Sequence, residues 1–206
     1  MNTRPLILDA ESPFDEAKEI FKAGGIIAYP TETFYGLCVD PFNIEAVERL
    51  FSIKGRREKN PVSVLIKDIE MLKEVAIEIP LLAERLIRKF WPGPLTIVFR
   101  ANPNIPPALI ANTGKIGVRV SGSPVSMRLV EALSSPITAT SANPSGKKPP
   151  IEAKEVLDYF DGNINLLIDG GRLGGRLGST VIDITEGMIE VIREGDIGIK
   201  EILNLS

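Results

Sequence analysis

The chain has 206 residues, 44% of them apolar and 25% charged, which is enough to enclose one hydrophobic core. Its 24 basic and 27 acidic side chains leave a formal net charge of -3, so no global field draws it to nucleic acid, and any anion site has to be local. A single cysteine, Cys38, and the complete lack of histidine exclude an internal disulfide, a thiolate zinc cluster and Ser-His or Cys-His catalysis, leaving chemistry by charge stabilisation. No long apolar run suggests a membrane span or a secretory leader, so a cytoplasmic protein is expected.

Short β-rich apolar runs alternate with segments of helical period, the pattern of a layered α/β domain. "PLIL" predicts a first strand. Ser12 as cap and Pro13 at the first helical position predict a helix ended by Gly24-Gly25, and Ile26 to Tyr29 predicts a second strand. The stretch "YPTETFYGLC" follows as a strand exit that presents Thr31, Glu32, Thr33 and Tyr35, at the place where α/β folds bind ligands. Asn43 caps a helix whose Ile44, Val47, Leu50 and Phe51 are spaced to bury one face, and it runs out into "KGRREKNP". "VSVLI" reads as a strand, Met71 to Val75 and the segment after Pro80 as helices, and "LTIVF" as a buried strand after the breaker "WPGP". "IGVRV" is a strand and "SPVSMRLVEAL" a helix capped by Ser123. "PITAT" is a strand, "SANPSGKKPP" a loop, "EAKEVLDYF" a helix, "INLLID" a strand and "GGRLGGRLGS" a glycine loop before a closing hairpin of "TVIDI" and "MIEVI". Cys38 reads as core packing rather than as a nucleophile.

Three polar loops follow three strands, and each has an ordinary structural reading beside a functional one. Lys54 and Arg56 at a helix exit either answer the helix dipole or, with Thr31, Thr33, Tyr35 and Asn60, contribute to an anion site. Ser141, Asn143 and Ser145 alternate, which puts their side chains on one side if strand geometry persists; the same residue types also fill ordinary turns. Arg172 and Arg176 sit in a glycine loop with neither a P-loop ending nor a dinucleotide fingerprint. Taken together, cations and anion-compatible donors on several strand-exit loops point to one electropositive crevice for an anionic ligand such as a nucleotide.

The segments "GGIIAYPTETFYGLCVD", "KGRREKNPVSVLI", "WPGPLTIVF", "IGVRV", "TSANPSG" and "GSTVIDIT…VIREG" resemble, in order and spacing, the YrdC/Sua5 family of threonylcarbamoyl-AMP synthases. The resemblance covers about residues 12–198, with Lys54, Arg56, Ser141 and Asn143 as its most diagnostic set. It implies a single α/β domain over residues 1–206, with a twisted mixed sheet and flanking helices around a positively charged cavity. It also implies a nucleotidyltransferase that makes L-threonylcarbamoyladenylate and pyrophosphate from L-threonine, bicarbonate and ATP with Mg2+. A downstream tRNA threonylcarbamoyltransferase then modifies adenosine 37 of tRNA. Carried over by position, Thr33, Arg119, Ser141 and Ser179 fall where the family contacts threonine, and Arg56, Asn60, Asn143 and Arg193 where it contacts ATP. Lys54 falls at the phosphates or the reacting region, with Lys54 and Arg56 in the catalytic role and no protein-held metal. The alternative is a tRNA or double-stranded RNA binding module of the same fold, against which the acidic balance counts; at most a weak RNA contact is expected, and no membrane.

Overall fold

The computed structural model describes residues 4–55, 61–174 and 177–204. Within them one mixed ten-stranded sheet runs in the order β1-β8-β2-β3-β7-β4-β6-β5-β9-β10. The strands are β1 Leu6–Asp9, β2 Ile27–Pro30, β3 Tyr35–Cys38, β4 Ser63–Leu65, β5 Leu95–Arg100, β6 Lys115–Arg119, β7 Ile137–Ser141, β8 Leu166–Asp169, β9 Thr180–Asp183 and β10 Glu190–Arg193. The helices are α1 Asp15–Lys22, α2 Ile44–Lys54, α3 Ile69–Val75, α4 Leu81–Phe90, α5 Pro124–Leu133, α6 Ala153–Phe160 and α7 Ile199–Leu203.

Side chains alternate across a strand, and residues opposite each other on neighbouring strands share a face. The registers therefore define two faces of different chemistry. Ala28 faces Leu37, Val64 faces Val118, Ile97 faces both Val118 and Ile182, and Phe99 faces Ile116; all are buried and apolar. On the other face Tyr29 opposes Gly36, Gly36 opposes Ser141, Ser63 opposes Ala139, and Gly117 opposes Val98, which in turn opposes Asp183. This second face is small and polar, and it becomes the floor of the site.

Four local outcomes differ from the sequence expectation. α1 starts at Asp15 with Phe14 at its cap and no side-chain cap bond. Ser12 is instead held in the turn leaving β1, its amide on the Asp9 carbonyl and its carbonyl accepting from Arg128 Nη2 at 3.1 Å. The stretch after β2 is only a four-residue loop, because Tyr35–Cys38 folds straight back as β3, antiparallel to β2 and also paired with β7. Loop closure is local: Thr31 Oγ1 donates to the Phe34 carbonyl at 2.7 Å and accepts the amides of Thr33 and Phe34. The alternation of Ser141, Asn143 and Ser145 does not continue as strand either, since β7 ends at Ser141 and the Asn143 amide turns back onto the Ser141 carbonyl. Ile44, expected on the buried face of α2, is exposed at the helix's first position, while Val47, Leu50 and Phe51 are buried as expected. The Asn43 cap of α2 (Ala46 N–H to Oδ1, 3.1 Å) and the Ser123 cap of α5 match. Cys38 is fully buried, and burial pushes its thiol well above the usual range.

Two polar contacts hold the sheet from inside. Tyr35 Oη donates to the Gly171 carbonyl at 2.8 Å, lies 3.2 Å from Asp169 Oδ1 and accepts the Gly170 amide at 3.0 Å, tying β3 to the exit of β8. Lys115 on β6 reaches across β5 to Asp183 on β9 at 2.8 Å, and Asp183 also accepts from Thr185. Burial alone raises the Asp183 pKa, but the hydrogen bonds from Lys115 and Thr185 outweigh it and hold the carboxyl below its ordinary value.

Tyr35→Phe removes that phenol and leaves the Gly170 N–H without an acceptor, so a loss of about 1–3 kcal/mol in urea unfolding is expected. The depressed Asp183 pKa means its contribution is complete above the unfolded carboxylate pKa of about 3.9 and is lost as pH falls through the folded value. Asp183→Asn is therefore expected to melt below the parent at pH 7, with the gap closing on acidification below about pH 4. A gap that stays constant with pH would show that the charge of Asp183 contributes nothing.

Candidate active site

The polar face of the sheet floors a cavity of about 560 Å3, within the range of about 300–1,000 Å3 usual for small-molecule sites. Tyr29, Gly36, Ser63, Gly117, Ser141 and Thr96 belong to its floor, and Thr33, Ser179 and Arg193 stand at its sides. The two floor glycines keep it open. A Cβ at Gly117 would meet Ser63 Oγ at 2.7 Å and Thr96 Cγ2 at 3.1 Å, and one at Gly36 would meet the Tyr29 ring at 3.0 Å.

Of the residues singled out in the sequence, Thr33, Arg119, Ser141, Ser179 and Arg193 line this one cavity. Lys54 and Asn143 meet beside it. Arg56 and Asn60 lie outside the described residues. Thr31 and Tyr35 of the "YPTETFYGLC" stretch also line the cavity.

Lys54 occupies the buried stripe of α2 with Val47, Leu50 and Phe51, and it is only 3% exposed. Gly55 ends the helix at φ 58°, a left-handed conformation that glycine adopts without strain. The Lys54 ammonium donates to the carbonyls of Ser141 and, at 2.7 Å, Asn143, while the Ser145 amide returns to the Lys54 carbonyl at 2.8 Å. The charge thus fixes the loop after β7. Asn143, at a position the resemblance assigns to ATP, has its amide hydrogens engaged within the loop rather than free for a ligand. Its Nδ2 donates to the carbonyls of Pro144 and Lys147 at 3.0 and 2.7 Å, and the buried group without a partner among the described residues is its oxygen, Oδ1.

Arg119, 8% exposed, pairs through Nη1 with Glu32 in the β2–β3 loop. Glu32 also accepts from Ser121 Oγ at 2.6 Å and from the Gly122 amide at 3.3 Å. Glu32 therefore orients Arg119, a role the sequence did not disclose because the two are 87 positions apart. Ser179 is held between Thr96 Oγ1 at 3.0 Å and Arg193, whose Nη2 reaches Ser179 O at 2.8 Å and Oγ at 3.1 Å. Burial, and after it the charge of Arg119, pull the Arg193 pKa down, so an anion placed between the two guanidinium groups relieves their mutual repulsion. Tyr29, Ser63, Thr96, Lys115 and Asp183 also line the cavity and were not selected from the sequence. Their common signal is the register, since each sits on the polar face, and pairing between distant strands is not readable from one chain.

The family model Sua5/YciO/YrdC, described as "Telomere recombination", matches residues 19–195. A threonylcarbamoyl-AMP synthase of Pyrococcus abyssi is 39% identical over 186 residues, 90% of this chain and 55% of that protein. One of Marinobacter nauticus is 35% identical over 172 residues, 83% of this chain and 90% of that protein. The crystal structure of P. abyssi Sua5 complexed with L-threonine superposes with a TM-score of 0.93 at 35% identity, covering 98% of this chain and 61% of that one. This chain thus spans little more than half of the P. abyssi protein. With a family model matched over most of its length, the chain belongs to the Sua5/YciO/YrdC family.

Proposed function

We propose that the chain is an L-threonylcarbamoyladenylate synthase, a nucleotidyltransferase that joins L-threonine, bicarbonate and MgATP and releases pyrophosphate. The observation that carries this reading is the meeting of Arg119, Ser141, Ser179 and Arg193 around one cavity, in a chain similar to proteins named threonylcarbamoyl-AMP synthase. The alternative, an RNA-binding module without catalysis, has no comparable support.

In the proposed reaction the threonine amine takes up bicarbonate with loss of water, forming the N–C bond of a carbamate. A carbamate oxygen then attacks the α-phosphorus of ATP, and the bond to the β-phosphate breaks as pyrophosphate leaves. The N–H groups of Arg119 not engaged by Glu32 take the threonine carboxylate, with Thr33, Ser141 and Ser179 around it. Arg193, with Arg56, Asn60 and Asn143, is assigned to the nucleotide. Lys54 acts by holding the Ser141–Asn143 backbone in place, beside its assignment to the phosphates. Such preorganised charge stabilises the charge that develops on the phosphoryl oxygens. Asp183, the one carboxylate among the described lining residues, is already engaged by Lys115 and Thr185, so magnesium is assigned to the triphosphate as part of the substrate. No described helix is long and apolar enough to cross a membrane. A cytoplasmic setting, with product passing to a tRNA threonylcarbamoyltransferase, completes the reading.

Incubated with ATP, Mg2+, bicarbonate and threonine, the pure protein is expected to release pyrophosphate and form a labile acyl nucleotide, with little turnover on valine. Arg119→Lys keeps the charge but not the fork, so the KM for threonine is expected to rise at least about tenfold while that for ATP stays put. Pyrophosphate release that ignores threonine would refute the assignment.

A further inference from the structure

We propose that Tyr29 is a further amino-acid-binding residue: its hydroxyl donates a hydrogen bond to an oxygen of the bound substrate at the cavity floor. The inference rests on the function proposed above and adds a contact to it. Tyr29 is completely buried, lines the cavity, and its Oη has no partner among the described residues. The other hydroxyls of its hairpin are engaged. Thr31 and Thr33 lie 3.1 Å apart within their turn, and Tyr35 Oη is bound at Gly170 and Gly171.

The fold makes room for this side chain. Tyr29 opposes Gly36 across β2 and β3, and its ring end lies over that glycine, where a Cβ would come within 3.0 Å of Cζ and 3.2 Å of Oη. Gly36 opposes Ser141 in turn, so the hydroxyl lies on the same polar face as Ser141 and the other floor residues. A buried phenol without a partner destabilises the free protein, and phenylalanine would fill the same space without that cost. The partner is therefore one that arrives with the ligand. Burial, and after it Cys38 and Glu32, push the Tyr29 pKa up against the opposing pull of Arg119, so the hydroxyl keeps its proton near neutral pH. An oxygen acceptor fits a donor beside Arg119, and an amino acid such as threonine offers two, its carboxylate and its side-chain hydroxyl.

The test compares the parent protein with Tyr29→Phe by calorimetric titration with L-threonine, L-serine and L-valine, by KM for threonine and ATP, and by urea unfolding. The variant is expected to bind threonine at least about tenfold more weakly, with an unchanged KM for ATP and an unfolding midpoint equal to or above the parent. Equal loss for valine identifies the carboxylate as the acceptor, and loss confined to threonine and serine identifies the hydroxyl. Unchanged threonine affinity in the variant overturns the role of Tyr29 while leaving the proposed function intact, and so does a lowered midpoint with equal losses for threonine and ATP. A parent protein that binds no threonine overturns both.

Discussion

A lysine on the buried stripe of a helix has to find oxygen. Lys54 occupies the position that the spacing of Val47, Leu50 and Phe51 would give to an apolar residue, and an unpaired ammonium there would cost several kcal/mol. It is satisfied by the carbonyls of Ser141 and Asn143, with the Ser145 amide closing the return contact to its own carbonyl. This clamp makes the end of α2 and the exit of β7 one unit. Ser141, on the cavity floor, is held directly by it.

The rest of the site follows from alternation along the strands. One sheet face carries Ala28, Leu37, Val64, Val118 and Ile182 and closes the core. The other carries hydroxyls, two glycines and arginine, and it stays open because nothing larger stands at positions 36 and 117. Arg119 and Arg193 bring positive charge to this face, the first held by Glu32, far away in sequence, and the second by Ser179 across the β9–β10 hairpin. Electrostatic preorganisation of this kind suits a reaction whose charge builds on phosphate and carboxylate oxygens.

Much of this was legible in the chain. Alternating apolar runs and helix periods gave the α/β class, and Asn43 and Ser123 gave caps that the structure contains. The resemblance directed attention to Arg119, Ser141, Ser179 and Arg193, which come together although they span 75 positions from first to last. Four things were hidden. β3 reads as loop because Thr31 and Glu32 look like turn residues, and the local hydrogen bonds of Thr31 are what make so short a hairpin possible. The Glu32–Arg119 pair and the Lys54 clamp depend on strand neighbours far apart in sequence. Asn143 showed its residue type but not its hydrogen bonding, since the loop itself uses both amide hydrogens.

The most direct measurement is a crystal structure of the protein with L-threonine and a non-hydrolysable ATP analogue. The amino acid is expected on the floor between β2, β7 and Arg119, with the triphosphate approaching from Arg193. Threonine or nucleotide bound away from this floor, with Arg119 and Ser141 touching neither, would contradict it.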